Sequence, residues 1–181
     1  LQNGDFEAGQ DGSWTEYSAN GWNLILHASK LNVSPQGGQW AAWLGGDDNE
    51  VARLSQAVSI PTNQYYLHFY YYIGSEDACG FDYAYLKVNN VTQHTFSLCE
   101  ANTTSVWVHH VADLSAYKGS NVTLLFEVTT DGSLNSNFFL DTKKIQFFSQ
   151  FPVIAFLGFF QPMKMFIQKF LLWIGGGIQP L

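Results

Sequence analysis

Hydrophobic and polar residues alternate with a period of two from residue 1 to about 148. Gly, Asn, Asp, Ser or Pro break the alternation about every eight to twelve residues. This pattern marks strands that bury one face and wet the other, joined by short turns. Across Gln64 to Ile73 one face carries Leu67, Phe69, Tyr71 and Ile73, and the other carries Tyr66, His68, Tyr70 and Tyr72. Asp82 to Val88 sets Ala84, Leu86 and Val88 against Tyr83, Tyr85 and Lys87; Asn121 to Thr129 sets Val122, Leu124, Phe126 and Val128 against Thr123, Leu125, Glu127 and Thr129. Ser105 to Val111 alternates Val106, Val108 and His110 with Trp107, His109 and Val111. The interruptions at 45–49, 61–63, 118–120 and 131–133 supply residues that suit turns. No amphipathic helix longer than a turn or two is expected before residue 150. The predicted class is all-β: a two-sheet antiparallel β-sandwich over 1–148.

The remainder, 149–181, departs from this pattern. Ile145 to Met163 contains nineteen residues without a charge, and no acidic residue follows Asp141. The length suits a membrane span, but Pro152 and Pro162 interrupt it and Lys164 and Lys169 follow it. Three readings stand for this hydrophobic tail: a span, an interfacial segment in which lysines snorkel, or a non-native extension. The chain opens at Leu1 without a charged leader, which suits a processed mature form or a fragment.

Composition narrows the function classes. The chain is 46% hydrophobic and 17% aromatic with 13% charged residues, too apolar for disorder. A net charge of −7 with a single arginine, Arg53, offers no basic stripe for phosphates, so no nucleic-acid partner is expected. Cys79 and Cys99 flank a strand-like stretch, and a strand pair can bring such positions within disulfide reach; a Cys79–Cys99 bridge, and with it an oxidising compartment, is favoured over two buried thiols. Motifs for a serine nucleophile, a zinc protease, a P-loop or a dinucleotide fold are absent. His109 and His110, adjacent in a strand, point to opposite faces and do not jointly ligate a metal. The chain is therefore expected to be non-catalytic.

Three stretches resemble the galactose-binding-like jelly rolls of bacterial secreted proteins, which include carbohydrate-binding modules and accessory domains of extracellular peptidases. They are Asn3-Gly4-Asp5-Phe6-Glu7 with Trp22 downstream; Trp40 to Gly46 followed by Leu54 to Pro61; and Trp107 with Asp113 to Gly119, Val122 to Phe126 and Phe139-Leu140-Asp141. The resemblance implies a jelly roll whose first and last strands lie side by side, secreted or displayed at a bacterial cell surface. It also implies a structural calcium ion held by Glu7 and Asp141. The ending differs from the family in reading Leu140-Asp141-Thr142-Lys143 where a second aspartate and an apolar residue are usual. Turn capping or pairing with lysines is the competing role for both acids. The acidic runs Asp47 to Glu50 and Glu76-Asp77 lack EF-hand spacing and are expected to be solvated turns.

The candidate ligand surface is the polar side of the alternating strands. His68, Tyr70 and Tyr72 share one face of their strand, where Tyr83, Tyr85 and Lys87 of the next strand, and Glu127, are expected to join them. Aromatic faces stack on sugar C–H surfaces while the polar groups take hydroxyls, so the expected partner is a polysaccharide or glycan. The competing reading is cross-strand pairing that stabilises a sheet. Burial is expected for Trp22 and Trp43 and exposure for Trp14. The alternative to a binding and adhesion module is a structural or accessory subunit of a larger surface assembly or secreted peptidase, tethered to a membrane through 149–181.

Overall fold

A computed structural model describes residues 1–148, with side chains through Asp141. The hydrophobic tail and every membrane reading placed on it lie outside the described residues. Ten strands follow one another: β1 Thr15–Ser18, β2 Ile25–His27, β3 Trp40–Gly45, β4 Val51–Ser59, β5 Tyr66–Ser75, β6 Asp82–Val88, β7 Val91–Leu98, β8 Val108–Asp113, β9 Asn121–Thr129 and β10 Ser136–Phe148. They form two five-stranded sheets, one ordered β1-β4-β9-β6-β7 and the other β2-β3-β10-β5-β8. Every pairing is antiparallel. The expected two-sheet sandwich is therefore the observed fold. Helix is confined, among the described residues, to single 3-10 turns at Ala28–Lys30, Glu100–Asn102 and Ser115–Tyr117.

Alternation assigns the inner faces. Leu67, Phe69 and Ile73 of β5, with Phe138 and Leu140 of β10, meet Leu54, Leu86, Leu124, Phe126 and Val128 of the other sheet in one buried cluster. Phe69 packs edge-on against Phe126 at 5.1 Å and against Phe96 at 6.4 Å, a preferred aromatic geometry. Burying each such side chain stabilises the fold by about 1.5–3 kcal/mol. β6 and β9 match their expected limits, whereas β5 both starts and ends two residues later than expected, at Tyr66 and Ser75. The Ser105 to Val111 segment is displaced: its strand is Val108–Asp113, and Val106 is exposed. Asn89 and Asn90 close the β6–β7 hairpin with φ of 50° and 64°, the left-handed pair a two-residue turn requires.

The Cys79–Cys99 disulfide is formed, with 4.8 Å between the Cα atoms. It joins the loop leaving β5 to the end of β7, and so ties the two sheets at one edge. His110 sits at the core margin with ring centroids 4.3 Å from His94, 5.0 Å from Phe69 and 5.3 Å from Phe96. Burial, reinforced by His94 and His109, pushes its pKa down to about 4.

Replacing Phe126 by Ala is expected to lower the unfolding free energy by about 3–5 kcal/mol in urea titrations. Thr123→Ala, on the opposite side of β9, is expected to change it by less than about 0.5 kcal/mol. The His110 pKa lies below that of an unfolded imidazole, so the unfolded chain binds more protons between pH 6.5 and about 4. Stability is accordingly lost as pH falls through this window. His110→Phe should flatten that part of the stability profile, and a profile parallel to wild type would contradict the assignment.

Candidate functional site

The sandwich divides the expected ligand surface into two. β5 lies in one sheet and β6 and β9 in the other, because the chain crosses between sheets after Ser75. His68, Tyr70 and Tyr72 therefore share the outer face of the β10-β5-β8 side, while Tyr83, Tyr85, Lys87 and Glu127 share the outer face of the other sheet. The two groups point away from each other. Period-two alternation reports which side of its own strand a residue occupies, and carries no information on which sheet the next strand joins.

On the β5 side, His68 is almost closed from solvent. Its Nδ1 lies 3.2 Å from His109 Nε2, and burial, then the neighbouring His109, lowers its pKa. Tyr70 lies over the His109 ring at 4.9 Å. Tyr72 is half-buried between Trp107 and Phe139, at 5.9 and 6.2 Å. The Trp107 indole donates to Ser34 O at 3.0 Å, which holds the segment before β3 against this face. On the other face, Glu127 accepts Arg53 Nε and Lys87 Nζ, both at 2.6 Å. Burial alone would raise the Glu127 pKa, but hydrogen bonds from Lys87 and Arg53 outweigh it and hold the carboxyl below its usual range. Lys87 stands 4.9 Å from the Tyr85 ring and Arg53 5.2 Å from the Tyr17 ring, so both cations are engaged twice. That face is a satisfied lattice of charge and aromatic pairs.

A third arrangement was not expected from the sequence. Trp22, at 60% exposure, stands over a cleft of ≈ 540 Å³ lined also by Asn23, Lys30, Trp43, Asp47 and Glu50. Asp47 Oδ2 accepts the Trp22 indole N–H at 3.0 Å, fixing the ring by its edge. Trp43 projects from the outer side of β3, stacks on Phe139 at 5.4 Å and donates to Asn137 Oδ1 at 2.9 Å. Beneath it, Gly46 has φ +81°, and a Cβ there would stand 2.9 Å from the indole. Glu50 is buried and accepts Ser18 Oγ and the amides of Ala19 and Asn20, so it braces the loop that carries Trp22. A second cleft of ≈ 510 Å³ adjoins Trp43 and is lined by Asn32, Glu76, Asn135 and Asn137.

The expectations for tryptophan are thus corrected. Trp14 is 4% exposed, packed against Phe6 and Phe126, and its indole donates to Asn3 O at 3.0 Å. Trp22 is exposed and Trp43 only half-buried. The Gly and Ser flanking Trp14 reflect a tight loop that folds the ring inward. Trp43 does alternate as expected, but its strand turns that side to the cleft. The 47–50 run is likewise more than a solvated turn, since Glu50 is a buried acceptor.

No family model matches the chain, and no curated protein matches it. Solved structures do. TmCBM61 in complex with beta-1,4-galactotriose superposes with a TM-score of 0.56 at 19% identity, covering 78% of this chain and 92% of that one. The K2 cleaved adhesin domain of Lys-gingipain gives 0.56 at 19% identity, covering 79% and 96%. The K1 domain from Porphyromonas gingivalis W83 gives 0.58 at 12% identity, covering 81% and 96%. The chain shares the β-sandwich fold of these domains. At these identities the likeness is one of fold, and it leaves the ligand to be argued from this chain's own residues.

The jelly-roll resemblance places calcium at Glu7 and Asp141, and the residues there can be tested against it. Glu7 accepts the amides of Gln39 and Trp40 at 2.9–3.0 Å, and Asp141, fully buried, accepts the Gly37 amide at 3.1 Å. Two acids from opposite ends of the domain thus clasp one four-residue segment, where Gly38 leaves room for the Glu7 carboxyl. Hard oxygen donors converging on a single backbone segment are compatible with calcium in kind. In the described geometry both acids act as acceptors for backbone N–H groups, in line with the capping role.

Proposed function

We propose that the chain is a non-catalytic carbohydrate-binding module of an extracellular or cell-surface protein, and that the Trp22–Trp43 cleft is its sugar platform. The observation that carries this reading is the exposed Trp22 ring, held by its edge to Asp47 above a cleft of ligand size. Indole faces stack on the C–H faces of a pyranose, while Asn23, Lys30 and Asp47 are placed to exchange hydrogen bonds with its hydroxyls. An exposed large apolar side chain fixed by a hydrogen bond forms a rigid anchor that loses little entropy on binding. The disulfide supports an oxidising compartment.

Tyr70 and Tyr72 lie on the same sheet face as Trp43 and extend the platform toward β8, while His68, on that face but almost closed from solvent, lies outside it. Tyr83, Tyr85, Lys87 and Glu127 lie on the opposite face, and we read that face as structural. The galacto-oligosaccharide held by TmCBM61 makes β-1,4-linked galactan the first probe to apply. We further read Glu7 and Asp141 as ligands of a structural calcium ion beneath the 37–40 segment.

In affinity electrophoresis and calorimetry against a polysaccharide panel including β-1,4-galactan, Trp22→Ala is expected to weaken binding at least about tenfold, equivalent to about 1.4 kcal/mol. Tyr85→Ala should leave it unchanged. Binding by Trp22→Ala at wild-type strength, or no binding of wild type to any polymer, would refute the assignment. For the calcium reading, EDTA should lower the thermal midpoint of wild type by more than that of Glu7→Gln.

A further inference from the structure

At the end of the sandwich where the chain leaves β5 and enters β6, three acids come together. One carboxylate oxygen from each of Asp77, Asp82 and Asp131 lies within 4.8 Å of the others. Asp82 is fully buried and Asp77 is 3% exposed. In each, one oxygen is engaged: Asp82 Oδ1 accepts the Asp131 amide at 2.7 Å, and Asp77 Oδ1 accepts the Ala78 amide at 2.6 Å. The second oxygen of each, Oδ2, is buried and has no hydrogen-bond partner. A buried carboxylate oxygen without a donor is costly, and two in one cluster need a common explanation.

No basic side chain supplies it. Among the described residues the ion pairs are those of Glu127 with Arg53 and Lys87, on the outer face of the sheet. The nearby hydroxyls are shared: Ser75 Oγ and Ser136 Oγ lie 2.8 Å apart, Ser136 Oγ approaches Leu98 O at 3.4 Å, and the single Ser136 proton that can serve Asp82 leaves the Asp77 oxygen without a donor. Burial raises the Asp82 pKa, Ser136 and the Asp131 amide oppose this, and the charges of Asp77 and Asp131 raise it further. A single proton on Asp82 would provide one donor for one oxygen. A divalent cation partners several oxygens at once and neutralises two charges.

We propose that Asp77, Asp82 and Asp131 form a cation site of the calcium class, separate from the Glu7–Asp141 pair and independent of the sugar reading. The donors are carboxylates without His or Cys, which selects a hard cation. Oxygens that all lie within 4.8 Å of one another can reach one ion at Ca–O distances of about 2.3–2.6 Å, and the irregular set suits the flexible coordination of calcium better than the strict octahedron of magnesium. The two sites are distinct in place. Ser136, beside Asp82, and Asp141 lie five residues apart on β10, about 16 Å along an extended strand.

The surroundings hold the ligands in position before any ion arrives. The Glu100 amide donates to Asp77 O at 2.8 Å, next to the Cys79–Cys99 bridge. Thr103 Oγ1 donates to Ser75 O at 3.0 Å and accepts the Ser75 amide at 3.1 Å. Asp131 Oδ1 receives the Ser133 amide and hydroxyl, and Asn49 N–H donates to Asp131 O at 2.6 Å. The ion would thus join the β5–β6 connection, the start of β6 and the β9–β10 connection at one end of the fold.

Calcium chloride alone, titrated calorimetrically into chelator-stripped full chain at pH 7, tests the proposal. The dissociation constant is expected on the order of 10⁻⁴–10⁻³ M, the range of extracellular modules. Asp82→Asn should lose one bound calcium per chain while Glu7→Gln retains it, and 10 mM calcium should raise the thermal midpoint of wild type by more than that of Asp82→Asn. Without calcium, Asp82→Asn should unfold at or above the wild-type temperature, because a buried charge has been removed. Should Asp82→Asn not fold, the partly exposed Asp131→Asn serves instead and should bind at least about tenfold more weakly. Wild-type stoichiometry and affinity in the aspartate variants, or a wild-type midpoint equal in calcium and in EDTA, would overturn the proposal. Loss of sugar binding in Trp22→Ala bears on the platform alone.

Discussion

Mutual burial of Phe69, Phe126 and Phe138 with their aliphatic neighbours between the two sheets is the interaction on which the rest of the molecule depends. The side chains at alternate positions of β5, β9 and β10 can reach this shared core only if their intervening neighbours face outward. The same alternation that builds the core therefore builds both outer faces. Because β5 and β6 belong to opposite sheets, those faces inherit different residues: histidine and aromatic side chains on one, a Glu127-centred charge lattice on the other. A one-residue slip in β5 would exchange Phe69 for His68 in the core, so the register of the sheet and the chemistry of its surface are fixed together.

Much of this was legible in the residues. Strict alternation without proline gave β6 and β9 their limits, and the two cysteines lie at the ends of one hairpin that brings them together. β8 was displaced because Trp107 and Val106 extend its apolar run beyond the paired backbone; Trp107 instead reaches across to Ser34. Trp14 and Trp22 were exchanged in burial because each lies in a short loop-like stretch, where no periodic pattern reports direction. Tyr72 and Tyr83 lie on different surfaces for a topological reason: strands adjacent in sequence need not be adjacent in a sheet, and the connection from β5 to β6 crosses between sheets.

The clefts and acid clusters were the least legible features, since they assemble from residues far apart in sequence. Asp47 and Trp22 are 25 positions apart, and Asp82 and Asp131 are 49 apart. Each pair is brought together by strand order, which local patterning does not encode. The means of holding them are near in sequence but equally silent in the pattern: Gly46 lies under the Trp43 ring, and Glu50, which reads as part of a solvated turn, is a buried acceptor ahead of β4. The clefts are thus a product of topology acting on short loops, and fold likeness without close sequence identity does not carry over what those loops hold.

Native-state amide hydrogen exchange tests the shared core most directly. If the two sheets are held by one interior, the slowest amides of β5, such as Phe69 and Tyr71, and of β9, such as Leu124 and Phe126, exchange through the same opening. The free energy of that opening then equals that of global unfolding. Exchange of one sheet through an opening at least about 2 kcal/mol lower than the other would show that the sheets are stabilised separately, and would contradict the account.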